Sequence, residues 1–187
     1  MADGAEGRNV ILGVSGSIAA YKACSILRGL MARGHAVQVV MTAAAQKLVT
    51  PTTFRALSGR PVATDLWVNE SRAALVHVEL AEWAHVLAVA PATANVLAKF
   101  NLGLADEILS CTWLACDCPK LVAPAMNDRM WSSPVTQRNA AGLRAQPGVH
   151  FVEPVEGRLA SGRVGKGHLA PVDEIVAAID ALARGGA

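Results

Sequence analysis

The feature that most constrains this chain is an apolar run that stops at a glycine and is followed by a helix and a second apolar run. Residues 9–15, NVILGVS, lead into Gly16, and residues 18–33 carry apolar positions at helical spacing and end at Gly34, a C-terminal stop. Residues 36–41, AVQVVM, form the second run and end at Thr42. Strand, turn, helix and strand in that order make a βαβ unit with a right-handed crossover. The pattern returns at 86–90, with a helix from about Ala92, and at 121–123, with a helix beginning after Asn127. Residues 171–183 read as a closing helix. The stretch 156–167, with Gly157, Gly162, Gly165 and Gly167, reads as a mobile loop.

Strands alternating with helices predict an α/β chain: a Rossmann-like (flavodoxin-like) three-layer fold with a mostly parallel sheet covered on both faces. At about 150 residues per domain, 187 residues make one domain, 9–187, behind a flexible N-terminus, 1–8. A chain with 52% hydrophobic and 17% charged residues can bury a sizeable core, which excludes general disorder. A net charge of +2 is too slight for a nucleic-acid binder. No acidic residue lies between Glu6 and Asp65, however, while Arg8, Lys22, Arg28, Arg33, Lys47, Arg55 and Arg60 do, so the first third suits an anion. Cys24, Cys111, Cys116 and Cys118 have no secreted-framework spacing, and Cys116-Asp117-Cys118 is one residue short of a C-x-x-C zinc or redox motif. Reduced thiols, a cytoplasmic location and no bound metal are the expectation. The longest apolar stretch, 86–98, is broken by Pro91 and Asn95, and the N-terminus has no apolar h-region, so neither a membrane span nor a signal peptide is expected.

Ligands of open α/β sheets bind beyond the C-terminal ends of the strands. There, Gly13-Val-Ser-Gly16-Ser17-Ile18 has the form of a turn that cradles phosphate, with glycines for close approach and a helix N-terminus behind. The third glycine of the dinucleotide fingerprint is missing, and the second strand ends in Thr42 rather than an acid that would hold a ribose. These residues favour a mononucleotide phosphate over NAD; the alternative is a tight turn in which glycine serves packing alone. Thr93 and Asn95 suit a helix cap and a ligand site equally, because both use the same free N–H groups. His77 taken alone reads as a histidine satisfied by a turn, and Asn127 taken alone as a turn former.

The segments together say more. His77-Val-Glu-Leu80, Ala90-Pro-Ala-Thr93-Ala-Asn95-Val96, Gly103-Leu-Ala-Asp106 and Ala123-Pro-Ala125-Met126-Asn127 with Met130-Trp131 occur in order. Over nearly its whole length the chain resembles the flavin-dependent cysteine decarboxylases. That family includes phosphopantothenoylcysteine decarboxylase and the peptidyl-cysteine decarboxylases of ribosomal-peptide biosynthesis, of thioamide or lanthipeptide type. The resemblance implies FMN as cofactor, held at Gly16, Ser17 and Ile18, at Thr42, Ala43 and Ala44, at Thr93, Ala94, Asn95 and Val96, and at Ala125. It implies His77 as the catalytic histidine, Asn127 as the group that holds the substrate carboxylate, and Met126 in the same substrate-binding element. It also implies a homotrimer or dodecamer with flavin sites at subunit contacts.

A cysteine carboxylate resists loss of CO₂ because the carbanion left behind has no electron sink. Oxidation of the Cβ–S bond to a thioaldehyde places a C=S where it accepts those electrons, and decarboxylation then gives an enethiolate. The redox step belongs to the flavin; orientation and protons belong to the protein. The resemblance also locates one departure. In Leu159-Ala160-Ser161-Gly162, a serine stands where phosphopantothenoylcysteine decarboxylases carry a cysteine that helps return the enethiol to a saturated thiol. A hydroxyl is a poor substitute for a thiol with a pKa of about 8.5. The expected reaction therefore stops early: oxidative decarboxylation of a C-terminal peptidyl cysteine to an aminoenethiol, the precursor of an aminovinyl-cysteine ring, with Ser161 beside the substrate. The alternatives are a phosphopantothenoylcysteine decarboxylase of coenzyme A synthesis, either native or with its cysteine replaced at Ser161, and a non-catalytic regulatory flavoprotein. The expected partner is a Cys-terminated peptide or phosphopantothenoylcysteine, with no nucleic acid and no membrane.

Overall fold

Alternating apolar side chains put the two faces of the central strands into two different cores. In the computed structural model, which describes residues 7–67, 76–158, 162 and 164–185, Val10, Leu12 and Val14 of strand β1 (Asn9–Val14) enter one core cluster, while Ile11 enters the other. Strands β2 (Ala36–Met41), β3 (Val86–Ala92), β4 (Lys120–Pro124) and β5 (Val149–Phe151) join β1 in one sheet of order β2-β1-β3-β4-β5, every pair parallel. The first cluster includes α1 (Ala23–Ala32), α3 (Pro51–Ser58) and α9 (Val172–Ala183), through Ile26, Leu27, Leu30, Phe54, Ile175 and Ile179. The second includes α5 (Ala94–Leu102), α6 (Ile108–Ala115) and α8 (Pro134–Arg144), through Leu97, Phe100, Leu109, Trp113, Ala140 and Leu143. Three layers result, as the alternation predicts. Each fully buried Leu, Ile or Phe contributes about 1.5–3 kcal/mol of burial.

Several details differ from the sequence reading. Residues 18–33 are two pieces, a 3-10 turn at Ile18–Lys22 and then α1. The helix expected from Ala92 begins at Ala94, and the one after Asn127 is divided into α7 (Asp128–Ser132) and α8. Two further short helices, α2 (Ala43–Gln46) and α4 (Val76–Trp83), occur among the described residues. The stretch expected to be a mobile loop is built around an antiparallel hairpin of β6 (Val155–Arg158) and β7 (Val164–His168). Its glycines permit close contact: a Cβ on Gly167 would lie 2.4 Å from Met126 O, and one on Gly165 would lie 2.8 Å from Asp128 Cβ. Residues 1–6, which include most of the expected flexible N-terminus, lie outside the described residues, as does Ser161.

Candidate functional site

The order β2-β1-β3 reverses direction at β1, so a crevice opens where the chain leaves β1 one way and β3 the other. Ser15, 1% exposed, fastens the two strand ends together. Its Oγ donates to Pro91 O at 2.7 Å and accepts from Thr93 N at 3.0 Å. Gly16 and Thr93 are thereby held on neighbouring strand ends. A Cβ at Gly16 would meet Ala44 Cβ at 2.5 Å, so the start of α2 lies directly against this turn.

Hydroxyl caps close each of these turns. Ser17 Oγ accepts from Ala19 N at 3.4 Å, Thr42 Oγ1 from Ala45 N at 3.2 Å, and Thr93 Oγ1 from Val96 N at 3.4 Å. Such caps are worth about 1 kcal/mol each. After β4, Ala125 N donates to Ala92 O at 3.0 Å and Met126 N to Gly167 O at 3.0 Å, which joins the Pro124-Ala125-Met126-Asn127 turn to β3 on one side and to the hairpin on the other. Asn127 caps α7, its Oδ1 accepting from Arg129 N at 3.0 Å. With the oxygen committed to the cap, the amide's Nδ2 hydrogens are what it offers a ligand.

A cavity of about 580 Å³ lies among these turns, within the usual range for a small-molecule site. Gly16, Ser17 and Ile18 line it from β1, Thr93 from β3, and Ala125, Met126 and Asn127 from β4. The lining also holds basic side chains that the sequence reading did not place in the site. Lys22 Nζ lies 2.8 Å from His168 Nε2, and both line the cavity together with Arg158; none of the described lining residues is acidic. The signal for Lys22 was present in its position four residues after Ile18 on one turn of helix. The signal for Arg158 was not, because a glycine-rich stretch does not announce a hairpin.

Other expected site residues do not line this cavity. Thr42 and Val96 are buried, Ala43, Ala44 and Asn95 are exposed, Ala94 is half-buried, and none of these six lines the cavity. His77 lies on α4, which packs against α6, and is not among the lining residues either; its Nδ1 is buried with no hydrogen-bond partner among the described residues. One chain thus brings Asn127, Met126 and the first and third turns together, but not His77.

The Flavoprotein family model matches residues 2–184. The chain is 46% identical over 169 residues to the coenzyme A biosynthesis bifunctional protein CoaBC of Bacillus subtilis (strain 168), covering 90% of this chain and 41% of that protein. It is 45% identical over 168 residues to CoaBC of Mycobacterium tuberculosis (strain ATCC 25618 / H37Rv), covering 90% and 40%. The chain thus spans about two-fifths of the length of these curated relatives. Among solved structures, a cysteine-to-serine mutant of PPC decarboxylase complexed with pantothenoylaminoethenethiol is similar at a TM-score of 0.83 and 32% identity, covering 94% of this chain and 97% of that one. The FMN-dependent cysteine decarboxylase SpaF is similar at a TM-score of 0.79 and 36% identity, with the same coverage. The residues present fit a flavin mononucleotide. The Gly16 turn packs too closely for any side chain, Ala125 and Met126 supply apolar wall, and Lys22 and Arg158 supply positive charge.

Proposed function

Because the chain belongs to the Flavoprotein family of flavin-dependent cysteine decarboxylases, we propose that it decarboxylates a C-terminal peptidyl cysteine oxidatively and releases the aminoenethiol. The observation that carries this reading is Asn127. Its amide is oriented by its own cap and lines the switch-point cavity, where a cysteinyl carboxylate would accept its Nδ2 hydrogens. A neutral amide suits a carboxylate that must lose its charge in the transition state, since an arginine would stabilise the ground state more strongly. Gly16, Ser17, Ile18 and Thr93 would hold FMN, which when bound takes up the two electrons of Cβ–S oxidation.

Met126 fixes the turn through its backbone bond to Gly167, so the carboxylate site and the hairpin keep one geometry. His77 would reach the thiol from a second copy of the chain, where its buried Nδ1, without a hydrogen-bond partner among the described residues, would acquire a role in holding or moving the thiol proton. The end point rests on Ser161 in the sequence. The similar cysteine-to-serine mutant of PPC decarboxylase was captured with an aminoethenethiol, which supports a serine at this place leaving the enethiol unreduced.

The cationic lining and the CoaBC relatives support a second reading, phosphopantothenoylcysteine as substrate, because that molecule carries a phosphate besides its carboxylate. Mass spectrometry after incubation with each substrate separates the two. The expected result is that a Cys-terminated peptide loses about 46 Da, as CO₂ and two hydrogens. Turnover of phosphopantothenoylcysteine alone would replace the first reading with the second, and a loss of CO₂ without the hydrogens would refute an oxidative end point.

A further inference from the structure

At the rim of the sheet where the strands begin, opposite the cavity, two thiols are separated by a single residue. Cys116 is the C-cap of α6, with its N–H bonded to Thr112 O at 3.0 Å, and is 2% exposed. Cys118 is half-buried, two residues before β4. Both are free thiols, their side chains hydrogen-bond to each other, and Cys118 also lies in hydrogen-bond contact with the backbone of Leu87 on β3. Lys120 is fastened beside them, its Nζ donating to Cys116 O at 2.5 Å. Among the described residues no group of three or more His, Cys, Asp and Glu side chains is arranged to hold a metal. The pair therefore does not read as half of a zinc site.

We propose that Cys116 and Cys118 form a peroxide-reactive dithiol that closes reversibly to a disulfide. The hydrogen bond between the thiols already brings the two sulfurs together, and the chain bends at Cys118. The bond is within reach of a small contraction of the turn. The roles of the two sulfurs differ. The hydrogen bond from Cys116 holds the Cys118 thiol down at about 7, against the effect of burial and with help from the Lys120 charge and backbone amides. That same hydrogen bond, followed by burial, pushes Cys116 well above the ordinary thiol range. Burial sets the roles: the half-buried Cys118 is the sulfur that peroxide reaches and that attacks, and the buried Cys116 is the one that resolves.

The Cys118 thiolate attacks one oxygen of hydrogen peroxide, the O–O bond breaks, and hydroxide leaves to become water with the proton the thiol had released. Cys118 is now a sulfenic acid. Cys116 sulfur attacks Cys118 sulfur, the S–S bond forms, the S–O bond breaks, and the departing hydroxide takes the Cys116 proton as a second water. The two thiols are oxidised by two electrons and the peroxide is reduced to two waters.

The test uses the full chain with its flavin, exposed to hydrogen peroxide, denatured in iodoacetamide and digested with trypsin. The peptide 100–120 contains Cys111 as well as the pair, so it carries its own control. The expected product bears one carbamidomethyl group, on Cys111, is lighter by two hydrogens at Cys116 and Cys118, and regains all three labels after dithiothreitol. Cys118→Ser is expected to slow reaction with peroxide at least about tenfold and leave Cys116 labelled; Cys116→Ser is expected to leave a sulfenic acid on Cys118 that dimedone captures. Three labels after peroxide, or oxidation of Cys116 at the native rate in Cys118→Ser, would overturn the proposal. Both readouts are independent of decarboxylase activity.

Discussion

Asn127 ends a helix with its amide oxygen and lines the cavity, and in the proposed reaction its nitrogen would meet the substrate carboxylate. Asn127→Asp separates the two roles. A carboxylate oxygen accepts from Arg129 N as well as the amide oxygen did, and negative charge is favoured at a helix N-terminus, so unfolding stability should stay within about 0.5 kcal/mol. The substrate carboxylate would instead meet a like charge, and kcat/KM should fall by about a hundredfold or more, since a donor is lost and a repulsion gained. Urea denaturation and steady-state turnover, measured on the same flavin-loaded sample, check both halves; unchanged turnover would remove Asn127 from the site. This residue was legible in the sequence because its motif is compact and contiguous. Ser15 was not: its partners Pro91 and Thr93 are more than seventy residues away, and a serine after an apolar run resembles any strand end.

The hairpin is where element-level reading failed. Gly157, Gly162, Gly165 and Gly167 look in one dimension like freedom of movement, yet Gly165 and Gly167 are small because Asp128 and the Met126 carbonyl lie against them. Composition cannot distinguish a glycine that lets the chain move from one that lets another chain approach. Nor do β6 and β7 show the apolar alternation by which β1 and β2 are recognised. Gly167→Ala tests the close approach: a Cβ placed 2.4 Å from Met126 O must displace the hairpin, at a cost of about 1–3 kcal/mol. Amide exchange at Met126, whose N–H is bonded to Gly167 O, should accelerate while β1 and β3 amides keep their protection. Helices α3, α4 and α6 escaped the sequence reading for a related reason. They are eight residues each, too short for periodicity to separate them from turns.

Across the whole molecule, the last helix is tied to the first βα unit by one carboxylate. Asp180 of α9 accepts from Arg184 Nε at 2.6 Å, from His35 Nε2 at 2.8 Å and from Arg33 Nη1 at 3.0 Å. Burial pushes its carboxyl up, but the Arg184 and His35 hydrogen bonds outweigh that and hold it below its ordinary 3.8. A depressed pKa contributes stability that is fully present above the unfolded value and is lost as pH falls through the folded one. Asp180→Asn should therefore cost about 1 kcal/mol at pH 7, discounted for the exposure of both arginines. The gap to the native chain should close as pH drops below 3.8; urea midpoints across pH 3 to 7, roughly the window set by that linkage, measure it. A gap that persisted at the acid end would mean that α9 docks without this charge. The common direction of the five strands of the larger sheet has a further outcome. It gives the molecule a front and a back, with every turn that lines the cavity after a strand and Cys118 before one. A surface that captured the chain through that thiol would present its cavities outward, so the polarity of the backbone supplies a ready orientation for immobilised enzyme.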